Sequence, residues 1–422
     1  MTGLDYVEDY LRHLYEGLTQ GHPSVLEGPW FSRQGQGSIF LDKEDAAAHF
    51  QVLERLMKEH ARREDISRRT VEGYLQDALF SALVPKIERR DERAFEARLS
   101  SAMRELGQRL RELPAQYTCY VPVLGMGDDG LPLTWGGVRF VRMTQTRLRR
   151  LALPAGRDRS GDTERHRRIF LRDMREEGLV GKPMAMVQVM ARDSAAAESL
   201  ARRKTREVVD ILNFFADLIP NSPGWLYMPG EAASEGTLTP CVWPDGGLGL
   251  SSALEGPFPQ MSMRRLKSTP ALRPSLDRVR QVLQESPRSS LSELLITSLR
   301  WAGRGVTEPV REREFLDYAI AIETLVVPDQ DVELAYRLRL RAAHLLSSSI
   351  EGREQVIRSL SRLYEIRSRI VHSGSFEVVD KDLRDLRYLA KSVIIRVLLH
   401  RSVRHMKTKD EYVSWLTRQA LK

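Results

Sequence analysis

Phe95, Leu99, Met103, Leu106, Leu110 and Leu113 recur every three or four residues, with arginines and glutamates filling the positions between them. That period lays the apolar side chains along one face of a helix. The pattern predicts a short helix over 6–18 and helix through 43–113, where Pro85 suits a first helical turn. The stripe reads as a face packed on its own domain ahead of a surface for a partner. After Pro114 the period shortens to two. Residues 117–124 and 134–143 read as two strands of a hairpin around the turn GMGDDGLP, and 184–191 as a further strand. A helix over 195–218 follows, with Val208, Ile211, Leu212 and Phe215 as its apolar set.

Residues 220–270 are rich in Gly, Pro and Ser, with Trp225, Tyr227 and Trp243 interleaved. They read as short strands and loops ending at a boundary, their aromatics packed on the preceding sheet before they serve as a platform for bases. From Pro274 the helical period returns and persists. It predicts helices near 274–285, 291–300, 312–326, 332–347, 353–372, 381–405 and 409–421, joined by short turns as in antiparallel bundles. The expected fold class is therefore α+β, mostly α. A mixed N-terminal region over 1–270 precedes an all-α domain over 271–422.

Composition narrows the setting. No apolar run approaches the roughly 18 residues of a membrane helix. The start, MTGLDYVEDYLRHL, is acidic and lacks the basic flank of a secretory signal. The only two cysteines, Cys119 and Cys241, are far apart in sequence and suit reduced thiols in the cytoplasm better than a disulfide framework or a zinc site. The histidines form no metal-ligand motif, so neither metal nor cofactor is expected. A net charge of +8 suits a polyanionic partner, yet acidic residues are interspersed nearly everywhere and the charge fits either outcome. The arginine-dense run over 147–175, containing RLRR, GRDRSGD and ERHRR, reads as a solvated face or mobile loop ahead of a phosphate contact.

The candidate chemistry lies in YEIRSRIVHSG, from Tyr364 to Gly374. Arg367 offers a planar fork of donors for a phosphate, and His372 moves protons near neutral pH. Together they suit RNA cleavage without a metal. Five residues of ideal helix separate them by about 140°, so they converge only if the last turn distorts or a cleft surrounds both. The Ser373–Gly374 pair is the expected helix stop, and the negative end of the helix dipole favours a protonated His372.

Three elements in order, EFLDYAIAIETLVV, YRLRLRAAHLL and LYEIRSRIVHSG, resemble the HEPN superfamily, in particular its Apea-like branch from prokaryotic antiphage defence. The likeness consists of an alanine-rich helix with one glutamate, Glu323, a following R-x-x-A-x-x-L helix around Arg341 to Leu345, and an Arg-Ser-x-x-Val-His ending. It covers Leu291 to His405. The resemblance implies a helical bundle that forms a homodimer, with the R-x-x-x-x-H helices of two subunits meeting in one cleft. It implies a metal-independent endoribonuclease with RNA as substrate, Arg367 stabilising the scissile phosphate and His372 exchanging protons with the 2′-hydroxyl or the 5′-oxygen. Ser368 departs from the Asn, Asp or His that many active members carry there, a weaker supporting group whose hydroxyl is still able to donate to phosphate. Glu323 is expected either to orient Arg367 or His372 from the neighbouring helix, or to form a plain ion pair with an arginine such as Arg341. Arg341 and Arg369 are the expected RNA contacts. The resemblance further implies cleavage of host or phage RNA that halts infection, with a phage-derived trigger or regulatory partner acting at the N-terminal region. The alternative is a HEPN module that dimerises or holds a partner without cutting.

Overall fold

In the computed structural model, the described residues are 4–19, 30–33, 37–41, 43–60, 64–83, 92–151, 168–169, 171–172, 178–222, 224–228, 239–242, 248–251, 260–329, 334–373 and 377–421. The protein is α+β and mostly α. It divides into two compact units, one comprising Met1–Tyr117 and Val189–Leu200, the other Thr118–Gln188 and Ala201–Lys422. The second unit contains all of 271–422 together with residues of the main sheet.

In the first unit, α1 (Asp5–Thr19) is followed by a hairpin of β1 (Trp30–Arg33) and β2 (Gly37–Phe40). The predicted helical stretch over 43–113 resolves into α2 (Lys43–His60), α3 (Arg68–Leu83) and α4 (Glu92–Arg109). Phe95, Leu99 and Leu106 of the predicted stripe enter one core with Leu11, Leu53, Leu75 and Leu79. Leu113 does not: α4 ends before it, and its side chain is 89% exposed. At the far end of this unit's chain, Arg192 donates to the Leu110 carbonyl (2.8 Å) and to Asp65 (2.9 Å).

The main sheet contains β3 (Ala115–Pro122), β4 (Leu133–Trp135), β5 (Val138–Arg142), β6 (Pro183–Ala191), β7 (Thr239–Val242) and β8 (Leu248–Ser251), in the order β4-β5-β6-β3-β7-β8. The hairpin expected around GMGDDGLP is not formed. The expected second strand is itself folded into a hairpin, β4 against β5, and β6 lies between β5 and β3. The turn responsible is Gly136–Gly137, whose φ angles of +52° and +80° are the left-handed pair that a two-residue hairpin demands. A short helix, α5 (Gln145–Leu151), follows the sheet's first three strands along the chain, and Leu148 joins Tyr120, Val141, Met143 and Met184 in a small core. Most of the arginine-dense run beyond it, and Trp243, lie outside the described residues.

Next comes α6 (Ser194–Ala216), whose predicted apolar set is buried in full. Residues 263–268, expected as strand or loop, form a short helix, α7 (Met263–Ser268). The helices predicted from Pro274 onward are present as α8 (Arg273–Gln284), α9 (Ser290–Thr307, which runs on past its expected end at Arg300), α10 (Arg311–Val326), α11 (Leu334–Leu346), α12 (Ile350–Ser373), α13 (Asp380–Leu399) and α14 (Lys409–Ala420). The helix expected to reach His405 stops at Leu399 and resumes as one 3₁₀ turn over Val403–His405. Thr408 and Glu411 then start α14 with a reciprocal capping box.

Small residues decide how these helices approach. A Cβ on Gly303 of α9 would overlap the carbonyl oxygen of Asp210 on α6. Gly305 faces the Tyr318 ring of α10, and Ser298 donates to the Ala321 carbonyl at 2.7 Å. The C-terminal half of α6 is thereby part of the bundle. Arg387 and Lys391 of α13 close on Asp217 just past its end, at 2.7 Å for Arg387 Nε to Oδ2 and 2.6 Å for Lys391 Nζ to Oδ2.

Candidate active site on the C-terminal helices

Leu360, Leu363, Ile366 and Ile370 make the buried stripe of α12. Their three- and four-residue spacing turns one face of the helix inward. Arg367 follows Leu363 by four residues, so it leaves the helix at the margin of that stripe and reaches back into the bundle. There it meets Glu323 of α10. Arg367 Nε lies 3.2 Å from Glu323 Oε1, and Nη2 donates to Oε2 at 3.4 Å. Of the two arrangements expected for Glu323, the structure has the pairing with Arg367.

The pair borders a small pocket of about 20 Å³, with Ala319, Leu338, Leu363 and Tyr364 on its walls. The Tyr364 ring lies 5.9 Å from Arg367 Cζ. Burial pushes the Glu323 carboxyl above its ordinary range, and the charge and hydrogen bond of Arg367 pull it part of the way back. Burial, followed by the charge of Glu323, raises the Tyr364 phenol. The three side chains form a partly desolvated acid–base and cation cluster with apolar walls. The sequence assigns Tyr364 no chemical role. Its place three residues before Arg367, on the same helix face, is the signal that would have found it.

His372 stands elsewhere. α12 stays helical through Ser373, and His372 is exposed. The helix does not distort, so the angle of about 140° between the two positions persists. Within one chain, Arg367 turns toward Glu323 and the pocket while His372 occupies another face. Ser368 is half-buried between them, and Arg369 is exposed.

Arg341 departs from its expected role as an RNA contact. Its side chain is 6% exposed and binds Asp329 through two bonds, Nη1 to Oδ1 at 2.8 Å and Nη2 to Oδ2 at 3.0 Å. It also donates to the Val326 carbonyl (3.2 Å) and to Thr417 Oγ1 (3.1 Å). All these partners lie within the protein, so the guanidinium joins the end of α10 to α11 and α14. The hydrogen bonds from Arg341 hold the Asp329 carboxyl below its ordinary range. Breaking such a buried pair from one side is strongly destabilising.

Among the described residues, no three His, Cys, Asp or Glu side chains gather as a metal-ligand set, and no helix is long and apolar enough to cross a membrane. No family model matches the sequence, and no curated protein or solved structure is significantly similar to it.

Proposed function

We propose that the chain is a metal-independent endoribonuclease of the HEPN type, acting as a homodimer and serving in antiphage defence. The observation that carries this reading is the pairing of Arg367 with Glu323 at a pocket, on the same helix that exposes His372 five residues later. In the reaction, the 2′-oxygen attacks the adjacent phosphorus and the bond to the 5′-oxygen breaks, leaving a 2′,3′-cyclic phosphate. A base takes the 2′-hydroxyl proton and an acid returns one to the leaving 5′-oxygen. Arg367 neutralises charge that builds on the non-bridging oxygens.

Because one chain holds Arg367 and His372 on different faces, the reading places the working pair across two copies. Two His372 side chains then divide the roles of base and acid. Val371, next to His372 on α12, is 50% exposed, which supports coverage of this end of the helix by a second copy. Glu323 acts as the positioning residue of Arg367. The region over 1–270 is assigned the trigger or regulatory partner, by analogy with the same family.

A second reading has a specific observation in its favour. Arg367 is already engaged by Glu323, and His372 does not join it within the chain, as befits a HEPN module that dimerises or holds a partner without cutting. The deciding experiment compares wild type with Arg367→Ala and His372→Ala on mixed RNA in EDTA, under phage challenge and with purified protein, mapping product ends. Cleavage and protection by wild type alone, with 2′,3′-cyclic or 3′-phosphate ends, establishes the ribonuclease. Protection that survives both substitutions, without RNA cleavage, establishes the binding module.

A further inference from the structure

The chain from Leu386 to Lys409 carries seven lysines and arginines and no acidic residue. Arg387 and Lys391 are taken by Asp217, and Arg396 donates from Nε to the Leu345 carbonyl at 3.2 Å, near the end of α11. The other four, Arg401, Arg404, Lys407 and Lys409, follow α13 through the 3₁₀ turn to the start of α14. Arg401, Arg404 and Lys407 are exposed. The backbone that carries them is fixed. Val403 is buried, the Lys407 carbonyl accepts from the Leu291 N–H at 3.4 Å, and the Lys409 N–H donates to Ser290 Oγ at 2.8 Å. These bonds fasten the segment to the first turn of α9.

Arg278 of α8 joins them. Burial lowers its guanidinium from the ordinary value, Glu285 opposes that, and the charge of Arg404 adds to it. This half-buried guanidinium has no hydrogen-bond partner among the described residues. The carboxylates around it are largely committed. Glu285 Oε2 accepts from Ser292 Oγ at 2.6 Å and from the Ser289 N–H at 3.5 Å, and its Oε1 lies 3.5 Å from Lys407 Nζ. Glu411 accepts from the Lys407 and Thr408 N–H groups, and Asp277 pairs with Arg280. Asp410 is exposed. The balance is positive even so, with Arg278, Arg401, Arg404, Lys407 and Lys409 set against Glu285, Asp410 and Glu411.

Guanidinium forks match the oxygens of a phosphate, and a half-desolvated fork beside a second arginine gains most from an anion that accepts its donors. We propose that Arg278, Arg401, Arg404 and Lys407 form a docking surface for the phosphate backbone of single-stranded RNA. The inference rests on the ribonuclease reading for the choice of RNA as the polyanion. Contacts to phosphate carry no sequence information, so docking is independent of sequence and falls steeply with salt. The surface is not the cleavage site. α13 begins shortly after His372 and ends at Leu399, 20 residues or about 30 Å further on, where the basic segment starts. It therefore holds the substrate away from the reacting atoms.

The test measures anisotropy of a fluorescein-labelled 2′-O-methyl oligouridine with the full-length chain over a series of salt concentrations. This probe keeps the phosphates and lacks the free 2′-hydroxyl, so binding is read without cleavage. Wild type is compared with Arg401→Gln/Arg404→Gln and with Arg93→Gln/Arg104→Gln, which removes the same charge from exposed positions of α4. Loss of two phosphate contacts weakens binding by about tenfold or more and makes the slope of log K against log salt shallower by about 1.4. The α4 variant binds as wild type does. If the Arg401→Gln/Arg404→Gln protein melts early, Arg401→Gln alone decides, with a slope change of about 0.7. The proposal is overturned if wild type does not bind the probe, if the substituted surface binds as wild type does, or if the α4 variant weakens equally. Binding that depends on Arg401 and Arg404 in a protein that cuts no RNA supports the surface and refutes the ribonuclease. RNA cleavage by wild type, with probe binding unchanged in the variants, refutes the surface alone.

Discussion

Arg367 of α12 and Glu323 of α10 face each other with Nε 3.2 Å from Oε1, and side-chain exposures of 27% and 17% show that neither charge is fully solvated. An ion pair at that depth is sensitive to the loss of either member, because the survivor remains half-desolvated. The arrangement also fixes which way the guanidinium points, which is what a phosphate-stabilising arginine needs.

Glu323→Gln keeps the shape of the side chain and removes its charge. On the ribonuclease reading, the variant lowers kcat on RNA by about tenfold with little change in KM, a typical penalty for loosening a charged group in the transition state. A purely structural role predicts a lower melting temperature and an unchanged kcat. The pH–rate profile separates the two further. Burial pushes Glu323 up, so it takes its proton at a higher pH than an ordinary carboxylate, and protonation releases Arg367 in the wild type. The acidic limb of the profile then flattens in Glu323→Gln, and an unaltered limb refutes the positioning role.

Glu314 offers a stability test independent of function. Burial pushes its carboxyl up to about 7 from the usual 4.5, with Asp217 and Asp317 adding to the rise and Arg387 and Arg311 opposing it. Between those two values the folded chain holds a proton that the unfolded chain has released. Stability from this group is therefore greatest at low pH, falls as pH rises from about 4.5 to 7, and stays level above that. Glu314→Gln removes the dependence while Arg387 keeps its bonds to Asp217. The variant's advantage over wild type grows across that window, to about 3 kcal/mol at most by pH 8. Denaturant melts of both proteins at pH 5, 6, 7 and 8 check it, and a constant difference across the series contradicts the assignment.

The long helices of the C-terminal half were legible because a 3.6-residue period over a dozen positions leaves little choice of element or face. The seven expected there all appear, α13 stopping at Leu399 before a 3₁₀ turn and α9 running on past Arg300 to Thr307. Strand pairing was less legible, because it depends on partners far away in sequence. The reading took GMGDDGLP for the hairpin turn, whereas Gly136–Gly137 supplies the positive φ angles and β6 inserts beside β5 from some forty residues on. The same limit applies to the site. Periodicity placed Arg367 beside the buried stripe but could not choose between Glu323 and another partner, and Arg341 lost its expected role to Asp329, a loop residue that no period marks.

Cys119 and Cys241 show that limit most simply. Far apart in sequence, they are directly opposed on β3 and β7 in the antiparallel register. Opposed residues in such a pair hold their Cα atoms about 4.5–5.5 Å apart, within the ~4.4–6.8 Å range of a disulfide. The sequence suggested reduced thiols, and the register makes a link between them available. Exposure of the native protein to diamide should yield one intramolecular disulfide joining the peptides that carry these residues, recovered by non-reducing peptide mapping and absent in Cys119→Ser. Because a cross-link of that span constrains the unfolded chain, oxidation raises stability by about 2–4 kcal/mol. Because Cys119 is buried, alkylation follows unfolding, and recovery of both peptides unlinked after the oxidant counts against the link.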